Sequence, residues 1–403
     1  MSSLSPLLKW SGGKRAEIKY FRAAYPQGVE GMRVVEPFSG GAAVAFDLNP
    51  SRGVVLNDLN SGLVRFYRTV ADPVAREELL GALRTLDGAR KALAQASQLL
   101  EHDPLSHVWA NPESWVQANA SRWLAQATAV ASLPDLPDPS AWPAAWSNQI
   151  ATDLVASARS KVSTRIPNLE NKHGITFDDT QRRNHLETGL QSGLYMAMRR
   201  VYNEDPALLA GVSLPWQVAA WWFVRSLCYS GMFRYGKTGK FNVPYGGIGY
   251  NTRDFLASLR DLRDPAVADF FARAQINELD FDALFDAYDG FGSTDFLFVD
   301  PPYDSDFSQY NPEGDFTRAD QQRLSDRLRR TKAPWLLVVK NTPFILSLYQ
   351  DSLGTKLYRG TFDKNYRVNI RSRNARAAEH LVVANYPFPV AATPDDDGIQ
   401  PLP

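Results

Sequence analysis

The chain has 403 residues, with 44 Lys and Arg against 44 Asp and Glu, so its formal net charge at pH 7 is zero. That length supports a substantial buried core and two domains, and its one cysteine, Cys228, excludes an intramolecular disulfide framework and a cysteine-built zinc site. No apolar run reaches membrane length, the start lacks the apolar core of a signal segment, and the five histidines show no ligand spacing, so the chain reads as cytoplasmic and without a metal.

Taken in order, the first element is Leu8-Lys9-Trp10-Ser11-Gly12-Gly13-Lys14, which offers an aromatic wall, an open backbone and a cation. Next, the β-branched pair Val34-Val35 reads as a strand running into Glu36-Pro37-Phe38-Ser39-Gly40-Gly41, and the small residues from 42 to 48 read as a helix. Glycines at such a turn let the backbone approach a ligand closely. Neither a dinucleotide G-x-G-x-x-G nor a phosphate-binding G-x-x-x-x-G-K-[ST] is present. A second strand, Gly53-Val54-Val55-Leu56, ends at Asn57-Asp58. Asp58 follows Glu36 by 22 positions, about the spacing at which an acidic residue reaches ribose hydroxyls in such folds. Together these features point to an adenosyl-type ligand.

The region 71–224 reads as mostly helical, with apolar positions near helical spacing in 75–100, 187–201 and 216–227. Pro134-Asp135-Leu136-Pro137-Asp138-Pro139 divides it. Eight of the ten tryptophans fall between Trp109 and Trp222, and they read as the core of this region, with a base-stacking surface as the alternative. From 206 to 253 there is no acidic residue, while Arg225, Arg234, Lys237, Lys240 and Arg253 are present. The stretch 356–376 holds seven cations against Asp363 alone. Uneven charge of this kind suits a nucleic-acid surface, although any single charge run is more often a solvated face.

Near the end, the apolar run Phe296-Leu297-Phe298-Val299 reads as a buried parallel strand. It closes on Asp300-Pro301-Pro302-Tyr303, at the strand end where open α/β sheets place their ligands. A carboxylate, a rigid carbonyl and an aromatic face there suit a flat, amine-bearing ring. The tail beyond Pro387 is rich in Pro and Asp and reads as disordered over 391–403.

With these segments in this order, the chain resembles the Dam-type, alpha-group adenine-specific DNA methyltransferases. Lys9-Trp10-Ser11-Gly12-Gly13-Lys14 resembles their first motif, Val35-Glu36-Pro37-Phe38-Ser39-Gly40 their S-adenosylmethionine loop, and Leu56-Asn57-Asp58-Leu59-Asn60 their ribose-binding segment. Asp300-Pro301-Pro302-Tyr303 resembles their catalytic motif, and the stretch from Tyr229 to Gly246 their DNA-contacting hairpin. The resemblance covers roughly 7–70 and 225–386. It implies an α/β fold: a Rossmann-like, mostly parallel sheet with helices on both faces, plus a mostly helical DNA-recognition insert bearing a β-hairpin at 233–246. The catalytic domain would be discontinuous, 1–70 and 255–390, and the insert would span 71–254.

The resemblance also assigns roles. Trp10, Lys14, Glu36, Phe38, Ser39, Gly40, Asp58 and Asp300 would line the S-adenosylmethionine site. Asp280 resembles an acidic residue near the cofactor adenine, and reads equally well as a helix N-cap. Asp300 and the Pro301 carbonyl would accept the protons of an adenine amine, Pro302 would stiffen the turn, and Tyr303 would stack on the base. The base must leave the duplex to reach this pocket. Ser230, Met232, Arg234 and Pro244 occupy base-reading or intercalating positions, Lys237 and Lys240 would touch phosphate, and Arg371 and Arg373 lie in a further DNA-facing loop. Ser230 and Met232 stand where the family pattern has Asn and Leu, so the resemblance leaves the target sequence open. The implied partner is double-stranded DNA, with the enzyme in the cytoplasm and nucleoid-associated through it. The cytosine exocyclic amine poses the same chemical problem as that of adenine, and a catalytically inactive DNA-binding relative is the reading from another class.

Overall fold

A computed structural model describes residues 3–8, 10, 12–98, 111–130, 142–231, 234–236, 238–254, 261–303, 316–351, 356–365, 377–391 and 398–402. The chain divides into two compact units, Met1–Ala71 with Asp264–Pro403, and Asp72–Arg263. The second crossing falls later than the 254/255 boundary expected from sequence. Asp264 is the reason at the local level: its carboxylate accepts from Ala266 N at 2.9 Å and caps the helix Pro265–Ala272. Phe270 of that helix stacks on Phe46 at 4.4 Å, inside the first unit.

The first unit is built on one eight-stranded sheet. In chain order its strands are β1 (Arg33–Glu36), β2 (Val54–Asn57), β3 (Ala274–Asn277), β4 (Asp295–Val299), β5 (Trp335–Lys340), β6 (Tyr358–Asn365), β7 (Ala377–Ala384) and β8 (Gln400–Pro401). Their spatial order is β3-β2-β1-β4-β5-β7-β6-β8. The first five are parallel, with Val35 beside both Val55 and Leu297, and Leu297 beside Trp335. β7 then runs antiparallel to β5 and to β6, and β8 antiparallel to β6. The sheet is therefore mixed, where a mostly parallel one was expected. β6 and β7 are consecutive strands whose neighbouring pairing is naturally antiparallel.

Period-two alternation sends neighbouring residues to opposite faces. Val35, Leu297, Val299, Trp335 and Leu337 join Phe281, Leu284, Leu324, Leu328 and Ile345 in one core. Those partners come from the helices Phe281–Ala287, Arg318–Arg330 and Pro343–Leu348. On the other face Phe298 stacks on Phe21 at 5.5 Å. The tail also departs from expectation at its end. Ile399 is 2 % exposed, and Ala391 N donates to its carbonyl at 2.7 Å, which folds Gln400–Pro401 onto β6. Residues 392–397 lie outside the described set.

The strand order matters most at β1. From β1 the chain moves outward to β2 on one side and later places β4 on the other. The crevice beyond the carboxyl ends of β1 and β4 is thus the topological switch point, where open α/β sheets bind ligands.

The second unit is helical. Its helices include Pro73–Gln98, Pro112–Val130, Ala144–Arg159, Asp179–Tyr202 and Leu214–Leu227. Gly193 lets two of them meet closely, since a Cβ there would lie 2.6 Å from Leu154 Cα. The tryptophans serve this interior: Trp123, Trp146, Trp216 and Trp222 are buried, and Trp146 Nε1 donates to Leu208 O at 2.8 Å. Trp109 lies outside the described residues. No described helix is long and apolar enough to cross a membrane.

Candidate active site

β4 is buried along its whole length and delivers Asp300 to the switch point. The Asp300 carboxylate is met at once by a cation. Lys14 Nζ lies 2.7 Å from Asp300 Oδ1, and the Lys14 side chain is only 2 % exposed against 20 % for Asp300. Lys14 also donates to Gly12 O at 3.2 Å and to the Tyr303 hydroxyl at 3.3 Å. Burial alone would lower the Lys14 pKa. The charges of Asp300, Tyr303 and Glu17 outweigh it and hold the ammonium above the ordinary lysine range. Lys14 is therefore a fixed positive charge at the Asp300-Pro301-Pro302-Tyr303 motif. The backbone of that motif is anchored too, because buried Gln321 donates to Pro302 O at 2.9 Å.

The loop after β1 forms the second wall. Gly40 adopts φ +45°, and a Cβ at that position would stand 2.8 Å from Trp10 Cδ1. Only glycine allows both the left-handed backbone and the indole contact. Asp58, beyond β2, accepts from Gly40 N and from Asn60 N, each at 2.9 Å. The Tyr67 hydroxyl donates to Gly40 O at 2.7 Å. Both peptide groups of this glycine are thereby held. Phe38 rests against Phe281 and Phe316, with centroids at 5.6 and 5.5 Å. Ser39 is buried, and its N–H donates to Asn57 O at 2.8 Å.

Asn57 is a positioning residue that the motif reading passed over. Its amide donates to Pro37 O and Leu279 O, each at 2.9 Å, and its oxygen accepts from Leu279 N at 3.0 Å. One buried side chain so ties the loops after β1 and β3 to the end of β2. The signal in sequence was only an Asn before the acidic residue.

Two expected cofactor contacts have other partners. Glu36 is 2 % exposed and its carboxylate accepts from Ala45 N at 2.6 Å, in the helix Ala43–Leu48. Burial pushes its carboxyl up to about 8 despite that bond. Asp280 caps the helix Phe281–Ala287 by accepting from Asp282 N at 2.9 Å, and it pairs with Arg323 Nη2 at 2.6 Å. The N-cap alternative is therefore realised there.

The expected DNA hairpin belongs to the second unit and is irregular. Its described part is joined by single antiparallel bridges, Tyr235 with Phe241 and Cys228 with Tyr245, in place of continuous strands. It is fixed to the helix Asp179–Tyr202. Tyr195 Oη donates to Val243 O at 2.9 Å, and just beyond the helix Asn203 exchanges two bonds with the Phe241 backbone at 3.0 and 2.8 Å. Ser230, Arg234, Lys240 and Pro244 are exposed. Ser230 carries φ 55°, and Arg234 Nε donates to Asn242 Oδ1 at 3.1 Å. Cys228 is buried, and burial pushes its thiol up to about 11, so it is no ready nucleophile. Met232, Lys237, Arg371 and Arg373 lie outside the described residues. Among the described residues no group of three or more His, Cys, Asp or Glu could hold a metal ion.

Comparison with known proteins adds to this geometry. A family model described as D12 class N6 adenine-specific DNA methyltransferase matches residues 10–120 and 141–364. The type II methyltransferase M.CviBI of Paramecium bursaria Chlorella virus NC1A is 34 % identical over 168 residues, 41 % of this chain and 59 % of the relative. The retron Ec67 DNA adenine methylase of Escherichia coli is 33 % identical over 152 residues, 38 % of this chain and 47 % of the relative. The DNA N-6-adenine-methyltransferase of Escherichia phage P1 is 31 % identical over 166 residues, 39 % of this chain and 20 % of the relative. The chain thus spans less than two thirds of each of these relatives.

Proposed function

The chain belongs to the D12 class N6 adenine-specific DNA methyltransferase family, and from that premise we propose that it transfers a methyl group from S-adenosylmethionine to the exocyclic amine of a flipped-out adenine in duplex DNA. The observation that carries the reading is the placement of Asp300 and the Gly40 loop on adjacent strands, β4 and β1, at the switch point of the sheet. Such an arrangement would set a donor site and an acceptor site side by side.

The residues present fit the donor. Gly40 forms a cradle that a Cβ would fill, and Trp10 walls it. Asp58, Phe38, Ser39 and Lys14 complete the set that would hold S-adenosylmethionine. The cofactor supplies a methyl group on a sulfonium, which needs no covalent enzyme intermediate. Glu36 would support this site by holding Ala45 N of the helix Ala43–Leu48, and Asp280 by capping the helix Phe281–Ala287.

The protein's own task is to position the amine. An adenine amine is a poor nucleophile because its lone pair is shared with the ring. An ionised carboxylate accepts hydrogen bonds only, so Asp300 and the Pro301 carbonyl would hold the amine protons and favour the pyramidal form of the transition state. Lys14 opposes the Asp300 charge and fixes its direction. Tyr303 would face the base, and orientation then supplies most of the rate. Arg234, Pro244, Ser230 and Met232 would address the DNA bases, Lys240 and Lys237 its phosphates, and Arg371 and Arg373 would meet the DNA from a further loop.

A tritium-transfer assay with S-adenosylmethionine and duplex DNA tests the reading. Asp300→Ala is expected to abolish transfer while DNA affinity stays within roughly tenfold, because phosphate contacts dominate it. Wild-type turnover in that variant would remove Asp300 from the chemistry.

A further inference from the structure

We propose that His380, backed by Glu17, is the positioning residue for Tyr303, fixing its hydroxyl and hence its ring at the base-facing wall of the site. The proposal rests on the reading of Tyr303 given above. His380 sits on β7, in the antiparallel half of the sheet, and is 0 % exposed. Its Nε2 lies 3.1 Å from the Tyr303 hydroxyl, and its Nδ1 lies 3.5 Å from Glu17 Oε2. Glu17 is itself 3 % exposed. The imidazole is walled by Phe362, with ring centroids 5.2 Å apart.

The donors and acceptors order the chain. An ammonium has no acceptor capacity, so Lys14 donates to the Tyr303 oxygen. In the proposed arrangement the tyrosine proton points to His380 Nε2, which accepts. A neutral imidazole that accepts at Nε2 carries its proton on Nδ1, facing the Glu17 carboxylate. The series Lys14, Tyr303, His380 is thus directional, and Glu17 stands beyond it at an ion-pair distance of 3.5 Å rather than in a hydrogen bond. Other charges around the imidazole are Lys340, directly across on β5, and Glu379 beside it in sequence. Lys14 and Asp300 act on it through Tyr303.

Protonating His380 would turn Nε2 into a donor. The tyrosine oxygen would then face two donors, and its own proton would lose its acceptor. The proposal therefore links the orientation of Tyr303 to one tautomer of one buried histidine.

The test is a double-mutant cycle on methyl transfer, with His380→Phe, His380→Gln, Tyr303→Phe and the Tyr303→Phe/His380→Phe pair. His380→Phe keeps a ring and removes the acceptor. It is expected to lower kcat roughly tenfold, the scale of one lost buried hydrogen bond, with KM for S-adenosylmethionine within about twofold. His380→Gln restores an acceptor and is expected to recover most of the rate. Once Tyr303 has no hydroxyl, His380→Phe should cost nothing further. Additive losses in the pair, or a Gln variant no better than Phe, would assign His380 to packing alone and overturn the proposal. Imidazole 15N shifts of the wild-type protein provide a readout independent of activity. The expected signal is Nδ1–H at neutral pH, and an Nε2–H tautomer would contradict it. An inactive wild type would sink the proposed function, and the 15N shifts would still decide the role of His380.

Discussion

Lys14 Nζ stands 2.7 Å from Asp300 Oδ1, so the first motif of the chain supplies the counter-ion of the last. The pair is asymmetric: the lysine is buried and the aspartate keeps 20 % of its side chain open to the crevice. The carboxylate is thus partly open while its charge is opposed by a buried cation.

Removing the cation should therefore damage stability as well as chemistry. Lys14→Met removes the buried cation beside the Asp300 carboxylate. The expected loss is about 3 kcal/mol, the low end for a broken buried pair, because Asp300 retains solvent contact. Urea unfolding measures it, and an unchanged midpoint at unchanged slope would show that water replaces the lysine.

Gly40→Ala should act on the donor site alone. The new Cβ would press on Trp10 at 2.8 Å, in a backbone with φ +45°. Strain of this kind costs about 1–3 kcal/mol. S-Adenosylmethionine binding measured by calorimetry is expected to weaken at least tenfold, with the fold intact by circular dichroism. Unaltered affinity would mean that the glycine loop does not approach the ligand.

Asp58→Ala removes the acceptor of Gly40 N and Asn60 N together with any charge-assisted bond to a ribose. Affinity for the same ligand should fall by about 1–3 kcal/mol. A dissociation constant equal to that of the wild type would place Asp58 outside the site.

Glu36 gives a pH signature. Its carboxyl is raised from 4.5 to about 8 in the folded chain, chiefly by burial. Between those values the unfolded chain has released a proton that the folded chain keeps. The contribution of this residue to stability is therefore complete at low pH and declines as pH rises through that window, by at most about 1.4 kcal/mol per unit. Glu36→Gln keeps an acceptor for Ala45 N and cannot ionise. It should match the wild type near pH 4.5 and exceed its thermal stability at pH 8. Parallel stability curves across that window would show Glu36 ionised throughout.

Arg234 and Lys240 should separate in a randomised DNA library. Arg234→Ala is expected to relax preference at one base pair by about 1–3 kcal/mol, as loss of a two-point guanine contact would. Lys240→Ala should weaken binding on all sequences and lower the salt slope by about one. An even loss across sites for Arg234→Ala would make it a positioning residue.

The sequence made the centre of this site readable because its motifs are short and local. A strand ending in Asp300-Pro301-Pro302-Tyr303 and a strand ending in a glycine turn can be recognised without knowing what lies beside them. What lies beside them was not readable. The Lys14 contact with Asp300, the Asn57 staple to Leu279 and the His380 contact with Tyr303 all join distant segments. None leaves a periodic or compositional trace. β6 and β7 were missed for a related reason, since a cation-rich stretch was read for its charge rather than for its alternation. Asp280 shows the converse case, a residue whose spacing fitted two roles and whose cap is visible only with the helix in place.

Nucleoside mass spectrometry of duplex DNA treated with the chain and methyl-deuterated S-adenosylmethionine tests the central claim most directly. The account predicts deuterated N6-methyladenine, formed by the wild type and absent with Asp300→Ala. Label on the cytosine exocyclic amine would contradict the assigned base, and no label on DNA from a folded, cofactor-binding wild type would contradict the assigned reaction.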